Sequence, residues 1–492
     1  MRRLLLMAAA ALVLACVGGV LAAQAGAAQV LVSGPSPYAS CTSSPLAPDE
    51  TNYVNAEVEP WLAVNPATVG TNHLNIVGVW QQDRFSFGAA RGLVAGYSFD
   101  GGQTWGETPL PFSVCAGGVT FERASDPWVS IGPDGRAYAI AISANESNAD
   151  NGVVAATSTN GGQTWSSPTI VDEHLGAAGF QAFDDKESIT ADPIRAGVAY
   201  AVWDAGQTHN DNLRAIFHTH SFFQPTWFSK TTDGGATWSP AKMIYNPGEQ
   251  NGTSGNQIVV DPRTGTLYDF FDSGFHTGPF SHTGGYRFWE AVLKSTDGGA
   301  TWSGPTLIAE DKDIGVVDPN TGAPVRTGAG IPDVAIDPTT GALYVVWEDA
   351  RFSGGIYDEI ALSRSTDGGA TWSTPIRVNT ATGKPAFTPS VEVNSVGTVG
   401  VSYYDLRNLT TETTTLPTDY WLTTSSNGGS SFGAETHLAG PFDELTAPFA
   451  SGYFLGDYEG LATAGSSFEA FFAAANSGNT SNRTDIFSVV IP

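Results

Sequence analysis

The chain has 492 residues and a formal net charge of −27 at pH 7, because 49 acidic residues outweigh 22 lysines and arginines. A surface of this sign repels nucleic acids and anionic membranes, which excludes nucleic acid as a partner. It suits solubility outside the cell, and it suits calcium, which binds carboxylate and carbonyl oxygens. No cofactor is predicted, and a calcium site would have to be irregular because the sequence contains no EF-hand loop.

The first 27 residues have the pattern of a secretory signal peptide. Two arginines follow Met1, an apolar run continues to Ala23, and small residues precede position 28. We therefore expect a secreted, extracellular protein. A lipoprotein anchored at Cys16 is the alternative, although the apolar run continues past that cysteine. No later stretch is long and apolar enough to span a membrane.

Residues 28–56 are predicted to form an N-terminal extension. Its segment 28–32 is a candidate edge strand that completes the last repeat of the chain and so closes a ring. After removal of the signal, the chain keeps Cys41 and Cys115. An even pair in an exported protein predicts a disulfide between the extension and the first repeat, with two separate thiols as the alternative.

An octapeptide of sequence Ser-Phe-Asp-Gly-Gly-Gln-Thr-Trp occupies 98–105 and recurs at intervals of roughly 60 to 75 residues, which is the signature of a repeat fold. The further copies occupy 158–165, 231–238, 295–302, 365–372 and 425–432. An Asp or Asn that bonds nearby amides, a glycine pair and an anchoring aromatic residue are typical of a turn between strands. The aspartates of these turns are therefore predicted to be structural.

The repeat around the fifth octapeptide shows how each unit is built. Segments 333–337, 343–347, 359–365 and 371–378 have the composition of strands and are separated by Gly, Pro and Asp turns. Four-stranded antiparallel units repeated radially are the blades of a β-propeller. We predict an all-β fold with a single propeller domain over 57–492. Seven innermost strands favour seven blades, with six as the alternative; they begin near Pro60, Pro127, Glu187, Gln257, Asp333, Pro389 and Glu459.

Polar residues collect on the face opposite the octapeptide turns. Arg84, Arg351 and Arg407 follow the second strands of repeats one, five and six, and guanidinium groups bind carboxylates bidentately. These arginines are candidate substrate-binding residues. Further candidates stand where the innermost strands begin: Glu59, Asp126, Asp185, Asp333, Tyr458 and Glu459.

Structural alternatives are open for several of these candidates. The pairs Asp83–Arg84, Asp349–Arg351 and Asp405–Arg407 could be local salt bridges that brace loops. Asp126 and Asp333 could bond to neighbouring backbone at the start of a strand. Tyr458 could belong to a Gly-Asp-Tyr turn that closes the ring.

The octapeptide resembles the Asp-box, or BNR repeat, of the sialidase superfamily, and the resemblance covers 57–492. The family's propellers hold a substrate carboxylate with an arginine triad and use an aspartic acid/base and a tyrosine nucleophile assisted by a glutamate. By position, the resemblance implies Arg84, Arg351 and Arg407 for the triad, Asp126 for the acid, and Tyr458 with Glu459 for the nucleophile pair. The family's early Phe-Arg-Ile-Pro segment is absent, and its members have six blades.

The function predicted is that of a secreted, monomeric, glycan-active hydrolase resembling exo-α-sialidases. Asp126 would protonate the leaving oxygen in the axial funnel, with Glu59, Asp185 and Asp333 as further substrate-binding residues. The alternatives are a non-catalytic propeller that binds a glycan or protein, and a polysaccharide lyase. In the binding alternative, insertions 206–227 and 273–288 carry recognition.

Overall fold

The computed structural model describes residues 28–176, 182–207, 223–277 and 285–492. The predicted signal peptide, including Cys16, lies outside the described residues, and so do parts of both insertions assigned to recognition. Among the described residues, no helix has the length and apolar character required to cross a bilayer.

Strand β1 (Val30–Leu31) lies in the N-terminal extension, and the first two meanders follow it. The first comprises β2 (Glu57–Val64), β3 (Ile76–Arg84), β4 (Ala90–Ser98) and β5 (Gly106–Leu110). The second comprises β6 (Arg123–Ile131), β7 (Ala137–Ala144), β8 (Asn151–Ser158) and β9 (Thr169–His174). One pairing, Ala90 with Ala124, joins these two meanders into an eight-stranded sheet.

The third and fourth meanders are separate four-stranded sheets. The third comprises β10 (Ala182–Ala191), β11 (Ala199–Gln207), β12 (Thr226–Thr231) and β13 (Lys242–Tyr245). The fourth comprises β14 (Gly252–Val260), β15 (Leu267–His276), β16 (Tyr286–Ser295) and β17 (Thr306–Asp311). Residues 312–332, called the strap below, then carry β18 (Val316–Val317) and β19 (Pro324–Thr327).

The fifth and sixth meanders repeat the pattern. The fifth comprises β20 (Asp333–Ile336), β21 (Leu343–Asp349), β22 (Glu359–Ser365) and β23 (Ile376–Arg377). The sixth comprises β24 (Ala386–Val393), β25 (Val399–Asp405), β26 (Pro417–Ser425) and β27 (Thr436–Asp443). Short 3-10 turns occur at Pro66–Thr68 and Glu444–Thr446.

Strand β28 (Tyr453–Gly456) pairs in parallel with β19 of the strap and precedes the last meander. That meander comprises β29 (Gly460–Ala464), β30 (Ser467–Ala475) and β31 (Thr484–Ile491). Its fourth strand is β1, which pairs antiparallel with β31 and aligns Val30 with Ser488. The N-terminal extension and the end of the chain thus share one sheet.

The first strands of the meanders stand side by side. Each of β2, β6, β10, β14, β20 and β24 contacts the first strand of the next meander, and β29 contacts β2. Apolar side chains fill the space between sheets, as where Val77 and Val79 pack with Val129 and Ala139. The predicted all-β architecture of four-stranded antiparallel sheets is confirmed, and the arrangement is that of a β-propeller. The number of blades stays a prediction.

The octapeptide turns are held by their own side chains. In the first copy, the Ser98 hydroxyl donates to Asp100 Oδ1 at 2.9 Å and accepts from the Gly102 amide at 2.9 Å. Thr104 donates to Asp100 Oδ2 at 2.6 Å. The same bond recurs in the other copies, from serine or threonine to an aspartate in three of them and to an asparagine, Asn160 or Asn427, in two. These aspartates bind within their own turns.

Cys41 and Cys115 form a disulfide that ties the extension to the segment after the first meander. Tyr38, close to Cys41 in the chain, is buried and donates its hydroxyl proton to the Leu93 carbonyl at 2.6 Å. The extension is therefore anchored on the first meander as well as on β31.

Candidate active site

Five of the first strands begin with the same irregularity. A β-bulge shifts the register of β2 between Val58 and Trp61, and β6, β10, β14 and β24 are shifted at the equivalent place. Each bulge contains a residue with left-handed backbone: Glu59 (φ 54°), Asp126 (φ 53°), Lys186 (φ 49°), Gly255 (φ 69°) and Thr388 (φ 47°). Non-glycine residues rarely adopt this conformation, and it costs on the order of 1–3 kcal/mol. A bulge changes the direction in which its side chain points. The conformational cost at these residues is therefore linked to the side-chain direction that the bulge provides.

Lys186 connects carboxylates from different meanders. Its ammonium donates to Asp126 Oδ2 at 3.0 Å and to Asp457 Oδ2 at 2.7 Å, and it lies 3.9 Å from Glu59 Oε1. The Ser125 hydroxyl donates to the other oxygen of Asp126 at 2.6 Å. Because Glu59, Asp126 and Lys186 all sit at bulges, the shared irregularity brings these charges together.

Arg326 of the strap adds a second cation to Asp457. The parallel pairing of β19 with β28 aligns Arg326 with Phe454. The guanidinium donates from Nε to Asp457 Oδ1 at 3.0 Å and from Nη2 to Oδ2 at 2.5 Å. Burial acts to raise the pKa of Asp457, but Arg326 and Lys186 outweigh it and lower that pKa. We call the following group the hub cluster: Glu59, Asp126, Lys186, Arg326 and Asp457.

Arg84 lies beside the hub cluster. Its guanidinium centre is 4.9 Å from the centroid of the Phe454 ring, and that of Arg326 is 4.4 Å from the same centroid. Arg84 is buried and donates to Gln81 Oε1 at 2.8 Å. Burial and the nearby Arg326 lower its pKa. The expected Asp83–Arg84 salt bridge is replaced by a pair between Asp83 and another arginine at 3.1 Å, Arg91.

Aromatic side chains cover one side of this region. The Trp61 and Trp128 rings stack at 3.6 Å between centroids with an interplanar angle of 24°. Tyr458 packs edge-on against Trp128 at 5.1 Å and donates its hydroxyl proton to the Pro127 carbonyl at 3.2 Å. Burial and the surrounding carboxylates, Glu59 foremost, raise the pKa of Tyr458 well above its usual value. The phenol is therefore held neutral.

A cavity that is partly open to solvent lies at the axis beside the hub cluster. Its lining includes Trp61, Asp126, Trp128, Glu187, Asp333 and Tyr458, together with Lys186 and Asp457. Converging polar groups on a partly apolar wall are typical of a small-molecule site. The predicted residues Asp126, Asp333 and Tyr458 thus share one cavity.

Two carboxyl groups of the lining are held in opposite protonation states. Burial acts to raise the pKa of Asp126, but the Lys186 ammonium and the Ser125 hydroxyl outweigh it, and the pKa is lowered. Burial raises the pKa of Glu187 well above its usual value, and Asp126 adds to that increase. Neither carboxyl oxygen of Glu187 has a hydrogen-bond partner among the described residues. Asp126 is therefore a carboxylate, and Glu187 is a carboxylic acid whose proton can be given to a ligand.

Three further predicted acids lie around the cavity or beside it. Burial raises the pKa of Asp333 to about 7, and Asp333 Oδ2 accepts from the Val391 amide at 2.7 Å. Burial raises the pKa of Asp185 to about 6, and Asp185 Oδ1 accepts from the Lys186 amide at 3.0 Å. Glu59 is fully buried, and burial raises its pKa well above the usual value.

Arg351 and Arg407 bind acidic residues of their own meanders, and Arg351 also donates to the Glu310 carbonyl of the fourth meander. Arg351 donates to Asp349 at 2.6 Å, and Arg407 donates to Asp405 at 2.6 Å and to Glu435 at 2.5 Å. No arginine, Arg84 and Arg326 included, is among the cavity-lining residues. These contacts match the salt-bridge alternative, whereas Arg84 lies with Arg326. A substrate-binding role for Arg351 and Arg407 stays a prediction.

Glu459 directly precedes β29 and is buried, and unlike Tyr458 it is not among the cavity-lining residues. Its Oε2 accepts from the Ala473 amide at 2.9 Å, and its carbonyl accepts from the Ser390 hydroxyl at 2.5 Å. The role of Glu459 as a helper of Tyr458 stays a prediction.

The sequence analysis assigned no role to three residues of the site: Lys186, Glu187 and Arg326. The acid-Pro-Trp triplets at 59–61 and 126–128 carry a signal for the bulge, and Lys186 stands at the equivalent position of the third repeat. The sequence contains no local signal for Arg326, because the pairing of β19 with β28 alone brings it to Asp457.

Two clusters among the described residues have donor atoms close enough for a metal ion: Asp172, His174 and Asp184, and Asp272, Glu290 and Asp311. In the first cluster His174 lies 3.3 Å from Asp184 Oδ1, so these two groups already bind each other. The second cluster is considered below.

No family model matches the chain, and no curated protein matches it. Among solved structures, it is similar to a Hadza microbial sialidase, with 14% identity and a TM-score of 0.47 over 85% of this chain and 74% of that one. It is also similar to the NanB sialidase from Streptococcus pneumoniae, with 10% identity and a TM-score of 0.45 over 95% and 99% of the two chains. An α-L-arabinanase from Penicillium chrysogenum gives 12% identity and a TM-score of 0.42 over 90% and 98%. These matches assign neither an activity nor a residue role to this chain.

Proposed function

We propose that the protein is a glycan-active hydrolase that cleaves a glycosidic bond in the axial cavity of a seven-bladed Asp-box propeller. The observation that supports this most is the pair Asp126 and Glu187, which line one cavity in opposite protonation states. Most glycoside hydrolases use one carboxylic acid and one carboxylate at the scissile bond.

In the proposed reaction, Glu187 gives its proton to the glycosidic oxygen as the bond from that oxygen to the anomeric carbon breaks. The Asp126 carboxylate stabilises the positive charge that develops on the sugar ring. A water molecule then attacks the anomeric carbon and passes its proton to Asp126. The sequence analysis assigned the role of the acid to Asp126, whereas in this scheme Glu187 is the acid and Asp126 the base. The reason is that Lys186 keeps Asp126 ionised. Tyr458, held neutral beside both carboxyl groups, would orient the sugar.

An acidic sugar suits the charges at the axis. Arg84, Lys186 and Arg326 bring three cations, whereas raised pKa values leave Glu59 and Glu187 protonated. Asp126 and Asp457 then supply two negative charges to the hub cluster. Asp185, whose pKa is about 6, adds a third negative charge at pH 7. Positive and negative charges therefore balance around the cavity, in a protein whose formal net charge is −27. The stacked Trp61 and Trp128 offer a face for the apolar side of a sugar ring.

Export follows from the predicted signal peptide at 1–27, and we propose that the mature protein is secreted and acts as a monomer. A second function, binding of a glycan without turnover, is favoured by one observation. The cations of the hub cluster are already paired with carboxylates, since Arg326 and Lys186 both bind Asp457. A network this complete can hold a ligand without moving protons.

A substrate panel distinguishes these functions. The purified protein is incubated with sialosides, uronic-acid polymers and neutral glycans, and both new reducing ends and ultraviolet absorbance are measured. A hydrolase produces reducing ends without absorbance, and a lyase produces an absorbing unsaturated uronate. Binding measured by calorimetry without any product would leave the binding function and contradict the hydrolase.

A further inference from the structure

The fourth meander carries three carboxylates that the proposed hydrolysis does not use. Asp272 in β15 and Glu290 in β16 are direct cross-strand partners, and Asp311 is the last residue of β17. One oxygen atom from each side chain lies within 4.8 Å of the others. Like charges directly opposite one another destabilise an antiparallel pair. This part of the sheet therefore needs protons or a cation to neutralise the carboxylates.

The three carboxylates lack protein partners that could neutralise their charge. Glu290 is 0% exposed, Asp311 7% and Asp272 8%. Both oxygens of Glu290, Oδ1 of Asp272 and Oδ2 of Asp311 are buried without a hydrogen-bond partner among the described residues. Across the same part of the chain, no Lys, Arg or His side chain lies within ion-pair distance of the three. An unpaired buried charge costs several kcal/mol by order of magnitude.

Other acidic groups make the region still more negative. Asp313 donates its backbone amide to Asp311 Oδ1 at 3.0 Å, and its carboxylate is a neighbour of the cluster. Asp349 is also near, but its Oδ2 is bonded to Arg351 and to the Trp347 indole. Burial and the neighbouring carboxylates raise the pKa of Asp311 to about 10.

We propose that Asp272, Glu290 and Asp311 bind a calcium ion. The donor set consists of carboxylate oxygens only, which suits a hard cation and not zinc, whose usual ligands include His and Cys. Calcium accepts six to eight oxygen ligands in flexible geometry, whereas magnesium keeps several of its waters. A cluster this deeply buried suits the ion that gives up its water more readily.

The position of the cluster indicates a structural role for the ion at the base of the strap. Asp311 immediately precedes the strap, and Gly330 lies near the end of the strap with φ 80°. A Cβ atom at Gly330 would lie 2.9 Å from Asp311 Oδ2 and 3.7 Å from Asp272 Oδ2, so the chain returns to the carboxylates there. Calcium bound by Asp311 would fix the base of the strap that carries Arg326 to Asp457. The inference itself does not depend on the proposed hydrolysis.

The test is calcium binding by the full chain after treatment with EGTA. Calorimetry should detect one site in the wild type, and 1 mM calcium should raise its Tm by at least about 2 °C, since a ligand that binds only the folded state stabilises it. Glu290→Gln should lose at least tenfold in calcium affinity together with the rise in Tm. In EGTA its Tm should equal or exceed that of the wild type, because the substitution leaves no ionisable group opposite Asp272.

Asp172→Asn is the matched control, since it changes the other acidic cluster and should keep the full calcium response. If Glu290→Gln does not fold, Asp311→Asn makes the same test. Wild type that binds no calcium, or variants at both Glu290 and Asp311 that bind it as well as wild type does, would overturn the proposal. A response to magnesium or zinc that exceeds the response to calcium would overturn the choice of ion.

Discussion

The ammonium of Lys186 lies 2.7 Å from Oδ2 of Asp457, although 271 residues separate the two in the chain. Lys186 belongs to a bulge at the start of the third meander, and Asp457 stands between β28 and the last meander. The same ammonium also binds Asp126 of the second meander at 3.0 Å. One side chain thus joins three parts of the fold at the wall of the proposed active site.

Loss of the Lys186 charge should destabilise the protein. In Lys186→Met, the buried Asp126 carboxylate has no cation at ion-pair distance, and breaking a buried pair in this way costs about 3–5 kcal/mol. Urea denaturation of the variant should show a loss of this size. Adding Asp126→Asn should recover most of it, because the uncompensated charge is then removed. Lys312→Met, which changes a half-exposed lysine near Glu310, should shift stability by less than about 0.5 kcal/mol. Equal losses for the two lysines would contradict the prediction.

The buried Glu444 should make stability fall as the pH rises. Burial raises its pKa to about 8, and its Oε2 accepts from the Thr418 hydroxyl at 2.6 Å. An ordinary glutamate in the unfolded chain loses its proton near pH 4.3. Between these values the folded state binds one proton more than the unfolded state, so the free energy of unfolding decreases with rising pH.

Glu444→Gln should remove this contribution. From pH 5 to pH 7.5, the free energy of unfolding of the wild type should fall by about 3 kcal/mol more than that of the variant. Denaturation curves at a series of pH values measure the difference, and Glu249→Gln at an exposed position should leave the wild-type slope unchanged. Parallel pH profiles for the wild type and Glu444→Gln would show that Glu444 is ionised in the fold.

Removal of the disulfide should weaken the fold while leaving the axial site in place. Cys41 and Cys115 are separated by 74 positions, and loss of a native disulfide typically costs about 2–5 kcal/mol. The double variant Cys41→Ala/Cys115→Ala should melt at a lower temperature than the oxidised wild type. Dithiothreitol should lower the Tm of the wild type and not that of the variant. An unchanged wild-type Tm under reduction would contradict the prediction.

Variants of Arg326 and Arg351 distinguish two hypotheses for anion binding. One places the anion at the cations of the axis, and the other places it at the arginine triad predicted from the sequence. If an acidic sugar is held by the cations at the axis, Arg326→Gln should raise KM for that substrate by at least about tenfold, or 1.4 kcal/mol. Arg351→Gln should leave KM close to that of the wild type, because Arg351 binds Asp349 within its own meander. The opposite pattern would support the arginine triad predicted from the sequence.

The fold could be predicted from the sequence because its signals are local and repeated. Each octapeptide contains the serine or threonine, the Asp or Asn and the glycine pair that make its own hydrogen bonds. Alternating strands between such turns then define antiparallel meanders. The blade count rests on the same signals and awaits an experimental test.

The site could be predicted only in part, because its contacts are distant in sequence. Asp126 and Tyr458 could be found, since they stand at the start of innermost strands. The left-handed bulge that aims Asp126 and Lys186 depends on how β6 and β10 pair with their neighbours. Arg326 reaches Asp457 across 131 residues through the pairing of β19 with β28, and no spacing in the sequence encodes that approach.

The central claim is that Glu187 is the proton donor of a glycosidase. The most direct test is the pH dependence of kcat/KM for the wild type, Glu187→Gln and Glu469→Gln on the best substrate of the panel. Glu469 is a buried glutamate that binds Ser488 outside the cavity lining, and it therefore controls for the change of a buried acid. We predict that Glu187→Gln loses about 10²- to 10⁴-fold in kcat/KM together with the alkaline limb of the profile, while Glu469→Gln keeps both. A Glu187→Gln variant with wild-type turnover and an intact alkaline limb would contradict the account.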